Sequence, residues 1–89
     1  MVKILQTPTF KRAVKRLHKQ EKKELDKAVR TIVEAPDIGE AKVGDLAGVR
    51  VYKFKMNKQL ALLAYEPLSE AIKLLALGSH ENFYRDLKR

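Results

Sequence analysis

The chain has 89 residues, 45% of them hydrophobic and 34% charged. That balance supports one domain around one core and excludes a disordered polyelectrolyte. It contains no cysteine, which excludes disulfides, a thiolate nucleophile and a cysteine-built zinc site, and suits a reducing cytoplasm. The formal net charge of +8 spreads a positive field over a small body and favours polyanions: nucleic acid first, an acidic protein second, an anionic membrane last.

Residues 2–6 are apolar and β-branched at the start, which predicts a strand. Residues 1–5 run straight into Thr7-Pro8, with no secretory apolar region. Thr7 is a capping residue and Pro8 suits the first helical position. Phe10, Val14 and Leu17 then recur at helical spacing, while Lys11, Arg12, Lys15, Arg16 and Lys19 form the opposite face. A second helix is predicted over 22–34, with Leu25, Ala28, Val29 and Ile32 as its apolar stripe. Glu21 and Glu24 lie near its positive end, and Ala35-Pro36 stops it. The two helices should form a hairpin. Residues 36–48 read as a connector with turn points at Gly39, Gly44 and Gly48.

The remainder predicts an antiparallel meander. Residues 49–56 alternate, with Tyr52, Phe54 and Met56 on one side and Val51, Lys53 and Lys55 on the other. Asn57-Lys58 supplies a hairpin turn. Residues 60–66 form a continuously apolar strand, as at a sheet centre, and residues 71–77 return until Gly78 breaks the strand. Residues 81–87 predict a short final helix. The apolar stretches 60–65 and 74–77 are far too short to span a bilayer. The fold class is α+β: an N-terminal strand, a helical hairpin, a three-stranded meander and a C-terminal helix, with helices on one sheet face and the other face partly open.

The residues that can carry chemistry are few. His80 follows Gly78-Ser79, and Tyr84 stands four positions beyond it, one turn on in a helix. An imidazole moves protons near neutral pH, and a phenol ring can stack on a base. Read from the residues alone, Lys53 and Lys55 are equally a solvated strand face, His80 a surface histidine, and Tyr84 a packing residue competing with Phe83. The basic helix faces equally serve solubility. His18 and His80 lie far apart without ligand-spaced carboxylates, so neither a metal nor another cofactor is expected. His18 is read as structural.

The element order, the stretch Val51-Tyr52-Lys53-Phe54-Lys55-Met56 and the ending Gly78-Ser79-His80…Tyr84 together resemble the RelE/ParE superfamily of bacterial type II toxins. Tyr52-Lys53-Phe54-Lys55 is similar to the Tyr-Lys-Ile-Lys stretch of RelE-type ribonucleases. The tail is closer to the YafQ-type branch, in which an aromatic follows a histidine by four positions. The resemblance implies a cytoplasmic toxin that cleaves mRNA on the ribosome, neutralised by an acidic antitoxin. It implies Lys53, Lys55, His80 and Tyr84 as catalytic residues; Arg50, Lys58 and Arg85 are expected to bind RNA as basic residues that can contact phosphates. RelE-type enzymes carry an arginine in the strand after the lysine pair, whereas residues 60–65 have none, and an arginine where His80 falls. His80 then replaces the missing acid. The alternatives are a ParE-like poison of DNA gyrase and a relative that acts by binding alone.

Overall fold

The computed structural model describes residues 2–79. The elements run β1 (Lys3–Gln6), α1 (Pro8–Lys15), α2 (Lys19–Glu34), β2 (Glu40–Ala41), a 3₁₀ turn (Gly44–Leu46), β3 (Arg50–Met56), β4 (Gln59–Pro67) and β5 (Ala71–Ser79). They form one five-stranded sheet in the order β1-β5-β4-β3-β2. The β3-β4-β5 meander is antiparallel, and β1 closes the far edge parallel to β5. The α+β architecture expected from the sequence is present. The expected helix over residues 81–87 lies outside the described residues. Among those described, no helix is long and apolar enough to cross a membrane.

Local chemistry sets the helix ends. Thr7 is extended, and its hydroxyl accepts the Phe10 N–H at 3.1 Å while donating to the Leu75 carbonyl at 2.7 Å. One side chain thus caps α1 and ties it to β5. The start of α2 comes earlier than apolar periodicity indicates, at Lys19. The Glu21 carboxylate accepts the His18 N–H at 2.8 Å, satisfying a donor at the helix start that would otherwise rely on water. Ala35-Pro36 ends α2 as expected.

Period-2 alternation divides the sheet into two faces. Phe10, Leu25 and Ile32 from the helices pack with Leu63, Tyr65, Ile72 and Leu74, and Tyr52, Phe54, Met56 and Leu77 border this core. Burying each large side chain contributes roughly 1.5–3 kcal/mol. The opposite face holds a smaller cluster of Val51, Leu62, Ala64 and Ala76. The spacing of helix-facing residues on β5 changes from two (Ile72, Leu74) to three (Leu77). A register shift absorbs the difference, because Ala64 pairs with Ala76 but Tyr65 pairs with Leu74, leaving Leu75 as the extra residue. The Leu75 carbonyl is the one that Thr7 engages.

Two expectations are corrected. Gly78 does not end the last strand: it pairs with Leu62, and Ser79 pairs with Ala61. The ladder is built from backbone groups, so a missing side chain weakens a strand without stopping it. The connector is also more ordered than its glycines suggest. Tyr65, fully buried, donates its hydroxyl proton to the Pro36 carbonyl at 2.6 Å and accepts the Gly39 N–H at 2.9 Å. A Cβ at Gly39 would lie 2.8 Å from the Tyr65 oxygen, so this close approach requires glycine. The connector is thereby pinned where β2 can pair with the start of β3.

Removing the phenol oxygen strands a buried N–H and a carbonyl. Tyr65→Phe should therefore lower stability by about 1–3 kcal/mol in urea unfolding. Burial also pushes the Tyr65 phenol above its usual value of 10.0. The folded state therefore binds the proton more tightly than the unfolded state. Stability from this group is complete below pH 10 and is lost as pH rises through the folded value. The alkaline slope of stability should be shallower in Tyr65→Phe than in the parent chain.

Candidate nucleic-acid interface on the sheet face opposite α1 and α2

The two-residue turn at Asn57-Lys58 has φ of 55° and 64°, the left-handed geometry that suits a tight hairpin. The Asn57 N–H donates to the Glu24 carboxylate at 2.7 Å, so α2 also holds the turn. This fixes the register: Lys55 pairs with Leu60, Lys53 with Leu62 and Val51 with Ala64. Tyr52, Phe54 and Met56 accordingly point to the helices. The Tyr52 and Phe54 rings stack at 5.9 Å with 13° between their planes. Lys53 and Lys55 are exposed on the face away from the helical core, as alternation indicates.

Lys53, Leu62 and Gly78 lie in one row across three strands. At the usual strand spacing the Gly78 backbone is about 10 Å from that of Lys53. A groove of about 240 Å³ at this end of the sheet runs between the helical corner and the β3-β4 turn, and Gly78 and Ser79 line it. His80 follows Ser79 directly in sequence. His80, Tyr84 and Arg85 lie outside the described residues.

The expected RNA-binding residues do not form a single group. Arg50 belongs to the helix-side alternation, and its Nη1 donates to the carbonyls of Asp37 at 3.0 Å and Gly39 at 2.6 Å. It thus secures the same connector as Tyr65. Lys58 sits exposed at the tip of the β3-β4 turn, beyond Lys55.

Sequence reasoning passed over two charged residues of the connector, Glu40 and Lys42. Glu40 pairs with Val51 and so shares the face of Lys53. The Lys42 N–H continues the pairing to the Val49 carbonyl at 3.0 Å, and its Nζ lies 2.7 Å from the Glu40 carboxylate. The Lys42 hydrogen bond and charge hold the Glu40 carboxyl below its usual range, with Lys53 adding a smaller effect. The one available signal was the alternation Glu40-Ala41-Lys42, and two paired residues are too few to reveal a strand by periodicity. Among the described residues no group of His, Asp and Glu could hold a metal ion.

The sheet thus carries exposed lysines on one face and packs the other on the helical hairpin. Residues 4–88 match the family described as the ParE-like toxin of type II bacterial toxin–antitoxin systems, and the chain belongs to that family. The toxin chain in the intact RelBE toxin–antitoxin complex of E. coli superposes with a TM-score of 0.71 at 18% identity, over 91% of this chain and 99% of that one. The isolated E. coli RelE toxin gives 0.68 at 18% identity, over 100% and 98%. The conserved hypothetical protein HP0894 of Helicobacter pylori gives 0.53 at 21%, over 90% and 96%. At these identities the likeness concerns the fold. No curated protein matches the chain.

Exposed lysines outside caps and cores contribute little to stability. Lys53→Ala and Lys55→Ala should each keep the thermal midpoint within a few degrees of the parent, about 0.5 kcal/mol or less, in a circular-dichroism melt. A larger drop would mean that these side chains support the sheet itself.

Proposed function

We propose that this toxin is a ribosome-dependent mRNA endoribonuclease that acts by transesterification. A ribose 2′-hydroxyl attacks the adjacent phosphorus and the bond to the 5′-oxygen breaks, giving a 2′,3′-cyclic phosphate and a 5′-hydroxyl. A side-chain base takes the 2′-hydroxyl proton, and His80 returns a proton to the leaving 5′-oxygen. Lys53 and Lys55 stabilise the negative charge that grows on the phosphate oxygens. Tyr84 stacks on the substrate and orients it, while Lys58 and Arg85 contact phosphates. The observation that carries this reading is the β3-β4 register, which leaves both ammonium groups exposed two strand spacings from β5, the strand that His80 follows in sequence.

A cognate acidic antitoxin fits a cytoplasmic protein of charge +8. The E. coli RelE structures, in complex with RelB or with a RelB peptide, support a partner of this kind. A second reading, a ParE-like poison of DNA gyrase, is favoured by β4, whose sequence from Gln59 to Pro67 contains no arginine.

The test is induction without antitoxin, followed by primer-extension mapping of cellular mRNA and a gyrase supercoiling assay. The parent chain should arrest growth and leave new 5′ ends within translated messages. Lys55→Ala should reduce cleavage about 10²–10³-fold, and His80→Ala about 10²–10⁴-fold. Intact cleavage in both variants would overturn the nuclease reading. Blocked supercoiling without new mRNA ends would establish the gyrase reading instead.

A further inference from the structure

The positive charge of the chain is not spread evenly. Residues 11–23, from the middle of α1 to the second turn of α2, contain seven Lys or Arg and one Glu. These thirteen residues therefore carry six of the eight net positive charges. All seven cations are exposed. The ion pairs among the described residues, Arg30–Asp26 and Lys42–Glu40, include none of them.

Much of this charge works against the fold. Lys11 and Lys15, Arg12 and Arg16, and Lys19 and Lys23 stand four residues apart, where like charges on a helix repel. Arg12 and Lys15 complement the last turn of α1, but Lys19 and Lys22 stand at the positive start of α2, where only Glu21 is acidic. A bound polyanion relieves this repulsion. The corner also lacks what other partners need. Residues 11–23 contain no Phe, Tyr or Trp on which an unpaired base could stack. None of the exposed large hydrophobic side chains among the described residues lies there, so a protein partner would find no apolar anchor. Double-helical RNA is held through its phosphates and its shape, and needs neither.

We propose that the α1-α2 corner is a docking surface for double-helical RNA, an inference that rests on the ribosome-directed reading above and names the partner it implies. The corner holds phosphates without reading bases. Arg16 also borders the groove that Gly78 and Ser79 line, so a docked duplex lies next to the end of β5, the strand that His80 follows in sequence. Docking supplies affinity here, while Lys53 and Lys55, on the other side of the sheet, meet the single strand that is cleaved.

The experiment is fluorescence anisotropy of the full chain with a short blunt-ended RNA duplex, over a series of salt concentrations. Lys19→Gln/Lys23→Gln keeps helix propensity and removes two cations. It should weaken binding and lower the log–log salt slope by about 1.8, the value for two lost phosphate contacts on a duplex. Lys11→Gln/Lys15→Gln on the other helix should do the same. Because each double variant removes a like-charge pair, its melting midpoint at low salt should rise by about 1–4 °C. An unchanged slope in both variants overturns the proposal, and so does a loss of binding that comes with a lower midpoint in both. Tighter binding of a DNA duplex of the same sequence, or of a Glu-rich peptide, overturns the assignment to RNA. Primer-extension mapping in the same variants separates the two levels. New mRNA ends from the parent chain with an unchanged duplex slope sink this inference alone. Corner-dependent duplex binding without new mRNA ends sinks the nuclease reading and leaves the docking surface standing.

Discussion

The register of β3 against β4 is the constraint on which both the core and the site depend. Asn57 and Lys58 adopt left-handed backbone angles, and a Glu24 carboxylate on α2 accepts the Asn57 N–H. A two-residue turn of this kind permits one alignment of the strands that follow from it. A slip of one residue would send Tyr52, Phe54 and Met56 into solvent and turn Lys53 and Lys55 into the helical core. Burying those ammonium groups unpaired costs far more than the turn stabilises. Packing energy on one side of the sheet therefore enforces the exposure of the lysines on the other.

A second set of contacts determines what stands beside those lysines. Tyr65 and Arg50 hold the connector through the Pro36, Asp37 and Gly39 backbone. With residues 36–39 fixed, Glu40 falls opposite Val51 and Lys42 opposite Val49. The charge pattern of the face opposite α1 and α2 is thus set partly from the interior. A buried phenol and a partly buried guanidinium decide where an exposed carboxylate lies.

Much of this was legible in the sequence, for reasons that can be named. The amphipathic stripes of α1 and α2 follow a 3.6-residue period. The Tyr52–Met56 alternation gave both faces of β3, including the shared side of Lys53 and Lys55, because a period of two is local. What escaped depends on partners remote in sequence. The two residues of β2 become a strand only because Tyr65 places them. The extra residue at Leu75 is invisible in the run Leu74-Leu75-Ala76-Leu77, where every position is apolar and no spacing stands out. Arg50 was expected to hold RNA because it is basic. Its neighbours Asp37 and Gly39 act through their carbonyls, which side-chain identity does not announce. His80, Tyr84 and Arg85 rest on the sequence reading alone.

The most direct measurement of the central claim is an NMR titration of backbone amides with a short single-stranded RNA made uncleavable by 2′-O-methylation. Binding on the face opposite α1 and α2 predicts the largest shifts at Lys53, Lys55 and their cross-strand neighbours Leu60 and Leu62. Shifts confined to the basic surfaces of α1 and α2, with the β3-β4 amides unmoved, would contradict it.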